Sequence, residues 1–236
     1  MDAAAPATVD LVEVVVPCLN EEQALPGLLG RIPAGWGVIV VDNGSTDRTA
    51  AVARAAGATV VQEPLPGYGA AVHRGLTQAT GTFVVVLDGD GSIQPTDVVE
   101  MVAAVRRAEA DLVCGARRPV NRAAWPAHAR WGNRVLAAVL STALRLDLHD
   151  IAPVRVARRD ALIALAVEDR RFGYPLETLL RARASGWRII ERPVAYHPRD
   201  GGQSKVTGSL RGTAKALCDF AAVLVTHRHL LWRGRR

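Results

Sequence analysis

Five times between residues 9 and 116, a short apolar run gives way to a segment with helical patterning. The runs fall at 11–16, 38–42, 58–62, 83–87 and 111–115, and valine and isoleucine dominate them. Runs of this length without polar alternation suit strands covered on both faces. Strands alternating with helices predict a parallel sheet with right-handed crossovers. Such sheets place ligands beyond the carboxyl ends of their strands. The first run meets Pro17, whose missing N–H predicts a turn, and Asn20 and Glu21 follow. The second run ends in Asp42 and the fourth in Asp88-Gly89-Asp90. These side chains therefore converge on one sheet edge. Carboxylates buried there cost desolvation free energy unless a cation or a hydrogen-bond network meets them. A hard divalent metal carrying a phosphorylated ligand is the simplest partner.

The intervening segments carry their own signals. Leu25, Leu28 and Leu29 mark a first helix, and Ser45 or Thr46 can cap the second, with Asp47 at its positive end and Gly57 closing it. Gly67-Tyr68-Gly69 opens a helix at about 70–79, which invites phosphate at its N-terminus; a flexible turn is the plainer alternative. Neither a Walker A sequence nor a dinucleotide fingerprint is present. Asp97 and Glu100 have capping-box spacing. Beyond 116 the regularity breaks. Residues 117–133 read as a long loop; a helix is expected at 134–146, a short strand near 151–155 and a helix at 160–166. Pro175 sits early in a helix ending at Gly186, a strand covers 187–194, and a loop at 197–209 precedes a last helix at 210–226.

The chain has 236 residues, 49% hydrophobic and 22% charged, enough to bury a sizeable core. Its net charge of +6 suits phosphorylated ligands or an anionic membrane surface. Aromatic residues make up only 5% and do not interleave with the basic ones, which argues against nucleic acid. Cys18, Cys114 and Cys218 lack metal-ligand spacing and read as small core residues in a reducing, cytoplasmic compartment. Asp2 and the lack of an apolar h-region argue against a signal peptide. The apolar stretch 220–225 is far too short to span a bilayer.

Several residues can carry chemistry. Asp88 and Asp90 can hold Mg²⁺ or Mn²⁺, which would act as a Lewis acid on a leaving diphosphate. Arg199 and Lys205 flank a glycine pair and can clamp phosphate, or form a solvated basic loop. Asp150, next to His149, and Glu177 are candidate general bases; a turn and a helix cap are the structural alternatives.

Four motifs in order carry a resemblance: 14–21 with Pro17, Asn20 and Glu21; 40–47 with Asp42; Gly67-Tyr68-Gly69-Ala70-Ala71; and Asp88-Gly89-Asp90-Gly91. Over about residues 10–215 the chain resembles family 2 glycosyltransferases of the GT-A fold, and within them the dolichyl- or polyprenyl-phosphate sugar synthases. The resemblance implies a Rossmann-like, mostly parallel sheet flanked by helices, with an acceptor-side α+β half. It implies a nucleotide-sugar donor of the GDP-mannose or UDP-glucose type, with Pro17, Asn20, Glu21 and Asp42 around the nucleoside and Gly67 and Gly69 nearby. Asp88 and Asp90 would meet ribose, diphosphate and metal. Residues 150–155 match the acceptor-side motif, and Arg199, Ser204 and Lys205 the C-terminal phosphate-binding loop. Asn43 stands where a second aspartate is more usual, Ser92 where glutamine often stands, and 151–154 lack the usual Ser/Thr-Gly-aromatic sequence.

The expectation is one GT-A domain over 9–227, with a nucleotide-sugar half at 9–116, an acceptor half at 117–209 and a helix at 210–227, then a basic tail at 228–236. Its reaction would be metal-dependent and inverting, with a lipid phosphate as acceptor. A phosphate acceptor needs no strong base, whereas an alcohol would call on Glu177 or Asp150. The last helix and tail could hold the chain on the inner face of the membrane, or pack on the domain with a solvated tail. A soluble transferase with a hydroxyl acceptor and a non-catalytic nucleotide-sugar-binding module are the alternatives. A nucleotidyltransferase is disfavoured, because Asn20-Glu21-Glu22 replaces a basic glycine-rich signature after the first strand.

Overall fold

The computed structural model describes residues 10–121, 124–125, 127–201 and 210–233. Seven strands form one sheet: β1 (Val12–Cys18), β2 (Gly37–Asp42), β3 (Thr59–Gln62), β4 (Phe83–Leu87), β5 (Leu112–Pro119), β6 (Val154–Arg158) and β7 (Ile189–Tyr196). Their order is β3-β2-β1-β4-β6-β5-β7. β1 pairs in parallel with β2 and β4, β2 with β3, and β5 with β7. β6 runs antiparallel between β4 and β5. The expected five parallel strands are thus present, but the fifth does not sit beside the fourth. The later, short β6 takes that place.

Helices cover both faces: α1 (Leu25–Leu29), α2 (Thr49–Ala55), α3 (Tyr68–Gln78), α4 (Val99–Arg106), α5 (Ala127–Leu144), α6 (Arg159–Ala164), α7 (Tyr174–Ala184), α8 (Leu210–Thr226) and α9 (Arg228–Arg233). β1 shows why two layers are needed. Its side chains alternate across the sheet, so Val14 and Val16 pack with Leu25, Leu28 and Met101, while Val15 packs with Val72 and Leu76. β4 is buried along its whole length. A third cluster joins Leu140 and Leu144 of α5, Leu176 and Leu180 of α7 and Val223 of α8, with Leu230 of α9 against it.

Local chemistry departs from expectation in several places. β1 continues through Pro17, which pairs with Val41. The strand can do so because Cys18 O still accepts the Asn43 N–H (2.9 Å). Neither Ser45 nor Thr46 caps α2: both are drawn to Asn20, and Asp47 Oδ1 accepts the Thr49 N–H instead (2.9 Å). Asp97 and Glu100 form no capping box, because Pro95–Val98 is a 3₁₀ turn that feeds directly into α4. β5 extends to Pro119 by pairing with β7, and α5 begins at Ala127, so the connection is much shorter than 117–133. Residues 228–233 of the expected tail form α9. Cys18 and Cys114 are buried, whereas Cys218 is exposed.

α3 approaches β1 and β2 closely because Gly75 has no side chain. A Cβ there would collide with Val15 Cγ1 and lie 3.0 Å from Val41 Cγ2, both in the core. Gly75→Ala should cost about 1–3 kcal/mol, read as a lower urea midpoint. An unchanged midpoint would mean that α3 can back away from the sheet without loss.

Candidate functional site

The parallel strands β1, β2 and β4 end at one edge, and their following loops build the site. Asp42 closes β2 and is buried. Its Oδ1 accepts the Ser45 N–H and its Oδ2 the Gln62 amide, each at 2.9 Å. Asn20, at φ 57°, accepts the Thr46 N–H with its side-chain oxygen (2.7 Å). Asn43 donates to the carbonyls of Glu63 (2.9 Å) and Leu65 (2.7 Å), while its oxygen accepts the Gly67 N–H (2.8 Å). An aspartate could accept but not donate, so the amide suits this loop.

Asp88-Gly89-Asp90 follows β4. A Cβ on Gly89 would lie 2.6 Å from Cys18 Sγ, so only glycine fits between the two acids without displacing β1. Asp90 is buried; its Oδ1 accepts Ser92 N (3.0 Å) and Ser92 Oγ (2.6 Å). Its Oδ2 pairs with Arg199 Nη1 at 2.9 Å, and Arg199 Nη2 reaches Glu21 Oε1 at 2.8 Å. The loop carrying Arg199 is docked by His197 N on Ser92 O (2.8 Å) and Asp200 N on Asp90 O (3.1 Å). Asp88 is less well served. The nearby Tyr68 hydroxyl favours its charged form, but its Oδ1 is sealed from solvent without a hydrogen-bond partner among the described residues. Burial, then the charge of Asp90, push its pKa up to about 7, although Arg155 and Arg117 oppose the shift. Arg155, on β6, is itself buried, and its Nε has no hydrogen-bond partner.

On the acceptor side, Asp150 is held by Arg117. Oδ2 accepts Arg117 N and Nε, each at 2.8 Å, and Oδ1 accepts Nη2 at 2.6 Å. The same guanidinium lies 3.8 Å from the ring centre of Trp125. Burial disfavours the charge on Arg117, but Asp150 outweighs it, so Arg117 holds its proton more firmly than usual. Asn133 of α5 joins this group, accepting Arg117 Nη2 (3.3 Å) and Ile151 N (3.1 Å).

Two expectations need correction. Gly67 and Gly69 do not open a free helix terminus: Gly69 N and Ala70 N donate to the carbonyls of Arg171 (3.0 Å) and Arg170 (2.8 Å). A Cβ on Gly69 would lie 2.7 Å from Asp169 O, so the glycine serves close packing of that segment. Glu177 is fully buried among structural donors, Glu168 N (3.0 Å), Asp169 N (2.7 Å), Arg181 and His227 Nε2 (3.3 Å). Burial alone would raise its pKa, but these backbone and Arg181 bonds hold it below the usual value. None of its partners belongs to the Asp88–Asp90 group. Ser204 and Lys205 lie outside the described residues.

Among the described residues, no three His, Cys, Asp or Glu side chains gather as a metal cage. Asp88 and Asp90 nevertheless fit a hard cation whose remaining ligands are phosphate and water. The orphaned Asp88 Oδ1 is the observation that favours this fit. Arg117 and Arg155, whose charges both favour the ionised form of Asp88, were not singled out from the sequence. An arginine between Val154 and Val156 of a buried strand was the available signal for Arg155.

The glycosyl transferase family 2 domain matches residues 13–165, well over half of the chain. An uncharacterized glycosyltransferase of Mycobacterium tuberculosis is 56% identical over 215 residues, covering 91% of this chain and 98% of that protein. The undecaprenyl-phosphate mannosyltransferase of Micrococcus luteus is 34% identical over 222 residues, covering 85% of this chain and 89% of that protein. Glucosyl-3-phosphoglycerate synthase from M. tuberculosis, solved with Mn²⁺, UDP and phosphoglyceric acid, aligns with a TM-score of 0.72 at 25% identity, over 93% of this chain and 78% of that one. The seven-stranded, mostly parallel sheet with flanking helices matches these GT-A neighbours.

Asp88 allows a test by pH in metal-free protein. Its folded value of about 7 exceeds the ordinary 3.8. The unfolded chain therefore loses this proton first, and stability falls as pH rises from about 4 to about 7. Asp88→Asn should stabilise the protein by about 1–3 kcal/mol near pH 8 and by little below pH ~4.5. Thermal melts at both pH values check this; an equal effect at both would mean that the Asp88 charge is compensated.

Proposed function

The chain belongs to glycosyltransferase family 2, and we propose that it moves a hexose from a nucleoside diphosphate sugar, of the GDP-mannose or UDP-glucose type, to a polyprenyl phosphate. One observation carries the reading. Both candidate bases, Asp150 and Glu177, are engaged by arginines, while the carboxylates after β4 keep an acceptor oxygen for a cation. That division suits an acceptor that is already an anionic nucleophile. The 34% identical relative is an undecaprenyl-phosphate mannosyltransferase, which supports the acceptor class.

The nucleoside lies against Pro17, Asn20, Glu21 and Asp42, in the half spanning 9–116. Asp88 and Asp90 would hold Mg²⁺ or Mn²⁺, which would supply charge neutralisation for the donor diphosphate. Arg199 exchanges Asp90 for that diphosphate. An acceptor phosphate oxygen attacks the anomeric carbon from the face opposite the leaving group. The new C–O bond forms as the bond to the diphosphate breaks, and the nucleoside diphosphate leaves with the electron pair. The configuration is inverted. No proton needs removing, so Arg117 and Asp150 order the acceptor side without acting as a base. The acceptor brings the chain to the cytoplasmic membrane face; among the described residues no helix is long and apolar enough to cross a membrane.

A second reading rests on the solved neighbour that holds phosphoglyceric acid: the acceptor is a small soluble acid. The deciding experiment supplies the full chain with Mn²⁺, labelled GDP-mannose or UDP-glucose, and either undecaprenyl phosphate or 3-phosphoglycerate. Label should enter the lipid phase with one donor, and Asp90→Ala should lower kcat/KM roughly 100–1,000-fold. Label only in 3-phosphoglycerate would select the second reading, and transfer to neither would contradict both.

A further inference from the structure

α5 has two opposed faces. Ala137, Leu140 and Leu144 are buried, the two leucines in the third core cluster. On the opposite face Trp131, Val135 and Val139 are exposed at 71%, 45% and 54%. Their spacing of four residues sets them in one stripe along the helix. Arg134 lies on the flank of that stripe and half-buried Arg130 one turn before it, toward the buried face; neither is ion-paired with another described residue. The helix sequence contains no aspartate or glutamate.

We propose that this outer face of α5 docks the protein on an anionic lipid bilayer. A helix with tryptophan and valine on one stripe and arginines beside it is the pattern that settles into a headgroup layer. Charge decides between occupants. A second copy meeting the same face two-fold would set Arg134 near its own counterpart, with no acid on either helix to pair with it. Anionic headgroups complement both arginines, and the chain's net charge of +6 acts in the same sense. α9 is less available for this role, because its Leu230 is turned toward the third core.

The position fits the reaction, and in that respect the inference rests on the polyprenyl-phosphate reading. Asn133, on another side of α5, bonds Arg117 and Ile151 on the acceptor side. A bilayer under the Trp131 stripe would lie about one helix diameter, ~10 Å, from that group. A lipid phosphate at the headgroup level is then within reach of the site.

Co-sedimentation of the full chain with phosphatidylcholine vesicles, with and without phosphatidylglycerol, tests this. Wild type should bind the phosphatidylglycerol vesicles in low salt, and brominated lipid should quench fluorescence that Trp131→Phe removes. The triple variant Trp131→Ser, Val135→Ser, Val139→Ser, shown folded by circular dichroism, should bind at least about tenfold more weakly. Arg130→Gln with Arg134→Gln should lose on the order of tenfold, and only on anionic vesicles. Wild type that ignores both vesicles, or variants that bind as wild type does, would overturn the proposal. So would a wild-type dimer that the triple variant converts to monomer. Nucleotide binding in the same samples keeps the two readings apart. Donor binding without vesicle binding removes only the α5 surface. Vesicle binding through α5 without sugar transfer to polyprenyl phosphate supports the surface and removes the acceptor assignment.

Discussion

Four carboxylates crowd the carboxyl edge of the sheet, and the site follows from how each is compensated. Asp42 is answered by a backbone N–H and the Gln62 amide. Glu21 and Asp90 share the Arg199 guanidinium. Asp88 has Tyr68, opposed arginines and one oxygen without a hydrogen bond. Carboxylates packed this densely repel each other in a poorly solvated place, and each must be met or neutralised. Arg199 meets two at once and so ties the loop after β7 to the loops after β1 and β4.

Much of this was legible in the residues. Valine-rich runs too short for helices and too apolar for exposed strands mark β1, β2 and β4, and acids at their ends mark the ligand edge. The placement of β6 was not legible. A five-residue strand such as Val154–Arg158 has no local feature that says which neighbours it joins or in which direction. Its position depends on pairing with strands that lie far away in sequence. The helix caps failed for a related reason: Ser45 and Thr46 had a tertiary partner in Asn20 that outcompeted α2.

The candidate site divides along the same line. Asp88 and Asp90 could be found because acids at the end of a buried strand are chemically conspicuous. Asp150 and Glu177 could be found as acids, but their partners could not, and the partners decide what an acid can do. Arg117 takes up Asp150, and Glu177 is enclosed by backbone N–H groups, Arg181 and His227. Gly67 and Gly69 are ambiguous in the sequence because glycine at a helix start serves phosphate binding and close packing alike. Here the Arg170 and Arg171 carbonyls, about a hundred residues away, take up the Gly69 and Ala70 N–H groups.

We propose that Asp88 and Asp90 form half of a cation site whose other half is the donor diphosphate. Electron paramagnetic resonance of Mn²⁺ titrated into the full chain, with and without UDP or GDP, tests it most directly. Such a site should bind Mn²⁺ weakly in the protein alone and clearly more tightly with one nucleoside diphosphate, beyond what that nucleotide binds in buffer. Mn²⁺ affinity that no nucleotide changes would contradict it.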